Sequence, residues 1–411
     1  MIKLMLRIFI ILILLPTYIN AQRFIDYEIG PINYSNSKPD NKIEKLQAQL
    51  STKKKALINE PRFGFLKSLL KELKINEASQ VLVFSKSSLQ SHFVGPKTPR
   101  AIYFNDSTFV GYVNHPSGMI EMAVADNNRG ISFYTLDQSE NLKPEIQLQN
   151  NQCLTCHGGT RSLGVPGLMV RSVFTDNEGR LLFSAGGNHT DHSTSLENRW
   201  GGWYVTGHSG NQKHLGNFFL KDKKRPLHPD NTKGVNLNML DSFFDTDDYL
   251  RPESDIVSLM VMEHQIDVLN CITRVIYESK IGTISNECTG LNTAVEDLVK
   301  KLLFCLEAPL TNPIKGGEAF KKYFENSFEE GTLGKTLRQL NLKNRIFKHS
   351  LSYMITSDAF ENLPSEARKK VLKRIMQIVQ SDQKLQGFEH LQAADKKSIQ
   401  ELLKNMIITE N

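Results

Sequence analysis

Cys153-Leu154-Thr155-Cys156-His157 is the segment of this chain whose residue types and spacing point to chemistry. Two thiols three positions apart share one turn, and an imidazole follows the second directly. In an exported protein that spacing is the attachment sequence for a c-type haem. Each thiol adds to a vinyl group and becomes a thioether, and the adjacent histidine meets the iron from the proximal side. The sequence therefore predicts one covalent haem c on Cys153 and Cys156, with His157 as the proximal iron ligand. A thioredoxin-like redox pair would open a helix directly after a strand, whereas Gly158-Gly159 follow here. A zinc site asks for a second ligand pair at knuckle spacing, and Cys271, Cys288 and Cys305 show none. A single motif also speaks against a multihaem wire or a dihaem peroxidase.

What fills the sixth iron position separates electron transfer from ligand chemistry. His192, in the Gly-rich loop 186–192, and His264, on an apolar helix one turn after Met260, are the two candidates. One of them is expected on the haem face opposite His157, and burying either imidazole unpaired would cost on the order of 1 to 3 kcal/mol. His189 shares the loop. Met169 lies 13 positions after Cys156 in a strand-like run, where core packing is the favoured role. His208 and His214 flank Gly210 and are candidates for the haem edge or a propionate. Arg161, Arg171, Arg199 and Trp200 lie within fifty residues of the motif, and the arginine fork matches a carboxylate.

The elements that must position these groups change character along the chain. Helical patterns cover 43–56 and 63–73. From Val81 to about Leu136, short alternating runs (101–104, 109–113, 119–124, 131–136) are cut by Asn/Asp/Gly turns, the pattern of a β-meander. Strand-like runs follow the cysteine motif at 168–174, 181–184 and 203–206. Past Pro252 the period becomes helical, with Ser254 as an N-cap and a helix over 256–276 apolar on nearly every side, hence buried. Further helices are expected over 295–306, 351–360 and 365–379, the last opening after Pro364 with Glu366 in its first turn. The fold class is α+β: a β-meander-containing haem region, then an all-helical C-terminal region. The divisions are 1–21 export signal, 22–78 polar and helical, 79–249 β-rich and haem-bearing, 250–411 helical.

The N-terminus reads as a secretory signal. Lys3 and Arg7 precede the apolar run 8–15, Pro16 breaks it, and Ala21 offers a small residue for cleavage before Gln22. The expectation is a periplasmic or secreted chain, soluble after cleavage and touching a membrane only through an uncleaved signal. Losing Lys3 and Arg7 and no acidic residue lowers the formal charge from +6 to +4, a mild balance that argues against a nucleic-acid partner. Five cysteines are few for a disulfide scaffold. Cys271 and Cys305 fall in apolar helical patterns and read as small core residues; a bridge from Cys288 to either has no support in the sequence.

Several runs together resemble an uncharacterised family of secreted bacterial monohaem cytochrome c-domain proteins. They are Pro99 to Asp106 with Gly111-Tyr112-Val113, the stretch from Cys153 through Val173, and Thr190-Asp191-His192 with Arg199-Trp200-Gly201-Gly202-Trp203-Tyr204. Glu263-His264-Gln265 and Ser352-Tyr353 before Leu363-Pro364 complete the resemblance, which spans roughly residues 80–380. It implies a haem c protein and no particular activity; His192 and His264 fit its pattern and His189 does not. Lys143 to Gln152 is polar, where the small cytochrome c pattern has an amphipathic helix. The leading expectation is a periplasmic electron-transfer cytochrome with a redox partner protein. The alternatives are a peroxidase-like haem enzyme and a haem-based gas or redox sensor with an open distal site.

Overall fold

The alternating runs that open at Val81 become one antiparallel sheet. In the computed structural model, which describes residues 24–138, 144–221, 229–285 and 289–408, the strands are β1 (Val81–Val83), β2 (Arg100–Phe104), β3 (Thr108–Tyr112), β4 (Met119–Asp126), β5 (Gly130–Asp137) and β6 (Ile146–Gln149). They form a meander, with β9 (Trp203–Tyr204) completing a seven-stranded sheet of order β6-β5-β4-β3-β2-β1-β9. A separate ribbon joins β7 (Arg171–Val173) to β8 (Gly187–His189). The export signal expected over 1–21, and Cys288, lie outside the described residues.

Because side chains alternate across a strand, the register gives the sheet two distinct faces. Ile102, Gly111 and Glu121 stand abreast on one, as do Phe104, Phe109, Ala123 and Phe133. The opposite face carries Ala101, Tyr103, Val110, Tyr112, Met122 and Tyr134. It packs against Ile43 and Leu46 of α1 (Lys42–Ser51) and Leu66, Leu69 and Leu70 of α2 (Leu66–Glu72).

The first face packs against a helix apolar on almost every side. A four-residue turn of helix, α3 (Leu154–His157), holds the cysteine motif, and α4 (Ile256–Ser285) is buried from Ile256 through Glu278. Asp255, not Ser254, caps α4: its carboxylate accepts from Ser258 N at 2.8 Å. Ser254 is instead wedged between strands, accepting from Leu82 N at 2.9 Å and donating to the Tyr204 carbonyl at 2.6 Å.

The remaining helices are α5 (Thr289–Leu302), α6 (Glu318–Glu325), α7 (Leu333–Leu337), α8 (Asp358–Glu361), α9 (Ser365–Gln380) and α10 (Ala393–Ile408). The helix expected over 351–360 is two short pieces, a 3-10 turn at Tyr353–Thr356 and α8. The hydroxyls of Ser352 and Ser357 accept from Met354 N and Phe360 N, and such side-chain caps restart a helix where they occur. The strand expected over 181–184 is likewise replaced, Leu181 making one bridge to Thr175 before a 3-10 turn.

The β4–β5 turn ties the meander to α4. The Asp126 carboxylate accepts from Asn128 N and Arg129 N, and Tyr277 donates to the Arg129 carbonyl at 2.7 Å. Gly130 closes the turn at φ +80°, and a Cβ there would stand 2.2 Å from Thr273 Cγ2 on α4. Gly130→Ala is predicted to cost about 2–3 kcal/mol, from the left-handed backbone and the overlap together. Adding Thr273→Ala should restore part of this; urea unfolding of both variants checks it, and a single variant as stable as the parent would contradict it.

Candidate functional site

The motif sits at the edge of a cavity of about 260 Å³ between the first sheet face and α4. Ile102, Phe109, Ala123, Phe133 and Trp203 of the sheet, Met262 and Ile266 of α4, and Leu168 and Met169 from the loop after the motif make its walls largely apolar. Gly111 leaves room in the sheet for the Arg100 side chain to lie across it. Arg100 then pairs with Glu121 at 2.5 Å, so the charges on the cavity wall are matched.

Cys153, Cys156 and His157 all reach this cavity. The one-turn spacing of the motif delivers them together, as the sequence implied. Both thiols are free; Cys153 is part-buried and Cys156 exposed. Burial, with Glu121 adding to it, pushes the Cys153 thiol up to about 11. His157 Nδ1 lies 2.9 Å from the Gly167 carbonyl. A carbonyl only accepts, so Nδ1 carries the proton and Nε2 keeps a lone pair. Burial holds this imidazole below its ordinary value and therefore neutral at pH 7. Its ring packs on Phe133, centroids 5.1 Å apart, and Nε2 has no hydrogen-bond partner among the described residues.

The loop that holds His157 is itself clamped by α4. Asn270 accepts from Leu168 N at 3.0 Å and donates to its carbonyl at 2.8 Å. Arg274 donates to the Leu163 carbonyl at 3.0 Å and pairs with Glu278 at 2.8 Å. Gly167 permits this, because a Cβ there would lie 2.3 Å from the Asn270 amide oxygen. Asn270 and Arg274 escaped the sequence reading; the available signal was polar residues one turn apart, at i and i+4, on a helix read as buried.

The histidines expected opposite His157 are elsewhere. His192 and His264 are fully buried and bonded to each other, Nδ1 to Nδ1 at 3.3 Å. Neither lines the cavity. His192 Nε2 lies 3.2 Å from the Cys305 carbonyl and so must donate. Its Nδ1 then accepts from His264 Nδ1, and His264 Nε2 accepts from the Ser352 hydroxyl at 2.6 Å. One proton arrangement satisfies the whole chain of bonds, with both rings neutral. Alongside it, Arg199 pairs with Glu263 at 3.1 Å, and Lys301 bridges Asp191 and Asp267 at 2.8 and 2.6 Å.

Other candidates are similarly committed. His208 bonds Asn238 at 2.7 Å, and His214 accepts from Gly216 N and packs on Trp200. His189 stands on β8, away from the cavity. Trp200 is buried, and Arg199 faces a carboxylate inside the protein. Cys271 and Cys305 are buried and free, the small core residues the pattern implied. Met169 lines the cavity, whereas the sequence favoured core packing.

These placements correct the haem c expectation. Among the described residues no group of three or more His, Cys, Asp or Glu side chains is placed to hold a metal ion. The expected donor set, His157 with His192 or His264 opposite, is not assembled, because the two buried histidines saturate one another. The haem, iron and metal-binding readings are withdrawn on this finding, and with them the electron-transfer cytochrome, the haem enzyme and the haem sensor. The family resemblance is corrected too: no family model, no curated protein and no solved structure matches the chain.

The buried histidines make stability depend on pH. Burial holds His192 and His214 down to about 3 and His264 well below its ordinary value. Unfolded, each titrates near 6.5. As pH falls below 6.5 the unfolded chain takes up protons that the folded one refuses, so stability is lost. Each histidine contributes about 1.4 kcal/mol per pH unit. Burial outweighs Arg199 at Glu263 and pushes that carboxyl up to about 7, and it pushes Asp255 up to about 6. Those two groups favour folding as pH falls toward the ordinary carboxylate range and oppose the histidines there. His264→Gln isolates one term: its urea-unfolding free energy between pH 6.5 and 4.5 should fall less steeply than the parent's, by about 1.4 kcal/mol per pH unit. An unchanged slope would refute the neutral buried pair.

Proposed function

We propose that this chain is a small-molecule binding protein whose ligand is a mostly apolar organic compound seated between the sheet and α4. The observation that supports this is the cavity itself. Its volume of about 260 Å³ falls just under the span of ligand cavities, roughly 300–1,000 Å³. Its walls are largely apolar, and its polar lining includes Arg100, Glu121, Gln152 and the motif residues. Among them the His157 Nε2 lone pair is an acceptor held in place by the Gly167 carbonyl, suited to orienting one donor group on the ligand. Arg100 and Glu121 neutralise each other and ask for no counter-charge, while the buried Arg100 Nε–H keeps no hydrogen-bond partner among the described residues. Cys153, Cys156 and His157 keep their place as site residues in this reading, as the polar margin of a binding pocket.

The compartment we propose is the periplasm or the cell exterior, on the strength of the basic, apolar and small-residue order over 1–21. Among the described residues no helix is long and apolar enough to cross a membrane. Mass spectrometry of fractionated cells should find the mature chain beginning near Gln22; intact Met1 in the cytosolic fraction would contradict it.

Binding is tested with N-phenylnaphthylamine, a neutral dye that brightens in apolar surroundings. The parent should enhance its emission saturably, and Trp203, on the cavity wall, should report the same titration. Ala123→Phe fills the cavity from β4 and should weaken binding at least about tenfold, a loss of about 1.4 kcal/mol, with circular dichroism unchanged. Equal enhancement by parent and variant would overturn the reading.

A further inference from the structure

Arg100 and Glu121 stand on the first sheet face, and both line the cavity. They meet through one pair of atoms, Arg100 Nη2 and Glu121 Oε2, at 2.5 Å. A guanidinium carries five N–H groups and a carboxylate two accepting oxygens, so this contact uses little of either. Arg100 Nε is buried without an acceptor, and the guanidinium reaches no backbone carbonyl among the described residues. The arginines paired with glutamates of α4 differ, because they spend further N–H groups on carbonyls. Arg199 donates to Thr194 and His192, and Arg274 to Leu163. Those two pairs are sealed in the core, whereas Arg100 and Glu121 keep 20% and 15% of their side-chain surface exposed.

The pair therefore brings donors, an acceptor and no net charge to the cavity wall. An anionic head group would be drawn to Arg100 and repelled by Glu121, and an ammonium would meet the reverse. An uncharged hydroxyl suits both, since its oxygen accepts and its hydrogen donates. The short contact within the pair puts both partners within reach of one oxygen atom. His157 Nε2 is a second acceptor on the same lining, and it too favours a ligand with a hydrogen to give.

We propose that the ligand of this cavity is an uncharged alcohol or phenol, its hydroxyl bound by Arg100 and Glu121 and its apolar body against Phe109, Phe133 and Met262. This rests on the apolar-cavity reading and adds the head group and the residues that select it. Each member of the pair turns away one sign of charge, so the site selects for neutrality as well as for apolar surface.

The probes are 1-naphthol, uncharged at neutral pH, 1-methylnaphthalene, of similar shape without the hydroxyl, and the anion 1-naphthoate. Each is titrated against N-phenylnaphthylamine bound to the full chain. The parent should bind 1-naphthol at least about tenfold more tightly than either of the others, as a site built for a hydroxyl rejects analogues that lack one. Glu121→Gln leaves the Arg100 charge unanswered and should move the preference to 1-naphthoate. Arg100→Met with Glu121→Met makes the wall apolar and should move it to 1-methylnaphthalene. Both readouts are changes in the order of three probes on protein that still binds the dye, so loss of folding cannot imitate them, and either variant alone suffices. Arg374→Gln removes a cation paired with Glu296 between α9 and α5 and should keep the parent's order. A parent that binds 1-methylnaphthalene or 1-naphthoate as tightly as 1-naphthol would overturn the proposal with the apolar cavity still standing. So would the parent's order surviving in either cavity variant, or failure of all three probes to displace a bound dye. Failure of the dye itself to bind overturns the earlier reading first, so the two failures are distinguishable.

Discussion

Helix α4 has no solvent face from Ile256 to Glu278, and a buried polar group without a partner costs about 1–3 kcal/mol. Each polar side chain on it must therefore be met by another part of the chain, and the meeting points set the architecture. Ser258 reaches the Ser79 carbonyl and Gln265 the Asn105 carbonyl, anchoring the sheet. Glu263 takes Arg199, and His264 takes His192 and Ser352, anchoring the middle and C-terminal segments. Asn270 and Arg274 take the loop that follows the cysteine motif. One helix thereby fixes four regions far apart in sequence.

The cavity is a consequence of that arrangement. Sheet and helix close tightly where large side chains meet. They stay apart where Gly111 and Ala123 face Met262 and Ile266, and the motif loop, clamped from α4, forms the remaining wall. His157 is oriented through two steps: Asn270 fixes Leu168, and the neighbouring Gly167 carbonyl fixes the imidazole tautomer. Such support from outside a pocket holds a polar group to a narrow range of positions.

The local features were legible in the sequence. Alternation with Asn/Asp/Gly punctuation located the four strands from β2 to β5, and the lack of a polar face on α4 announced its burial. The one-turn spacing of Cys153, Cys156 and His157 correctly placed all three together. Spacing says nothing, however, about what such a trio faces. His192 was drawn toward the motif by sequence proximity, yet its partners are His264 and Cys305, on elements more than seventy positions away. Arg199 looked like a ligand-binding arginine and is an internal counter-ion. Long-range pairings of this kind are set by packing, which periodicity does not encode; Ser352 and Ser357 likewise cut a helical pattern through hydroxyl caps.

The central claim is that the space between the first sheet face and α4 is a ligand site bordered by His157. Methyl-labelled methionine NMR of the full chain, titrated with N-phenylnaphthylamine, tests it most directly. The account predicts that the methyl signals of Met169 and Met262, both on the cavity wall, shift together and saturate. The exposed Met239 and the fully buried Met354 should stay in place. Shifts confined to Met239, or no change at Met169 and Met262 while the dye is bound, would contradict it.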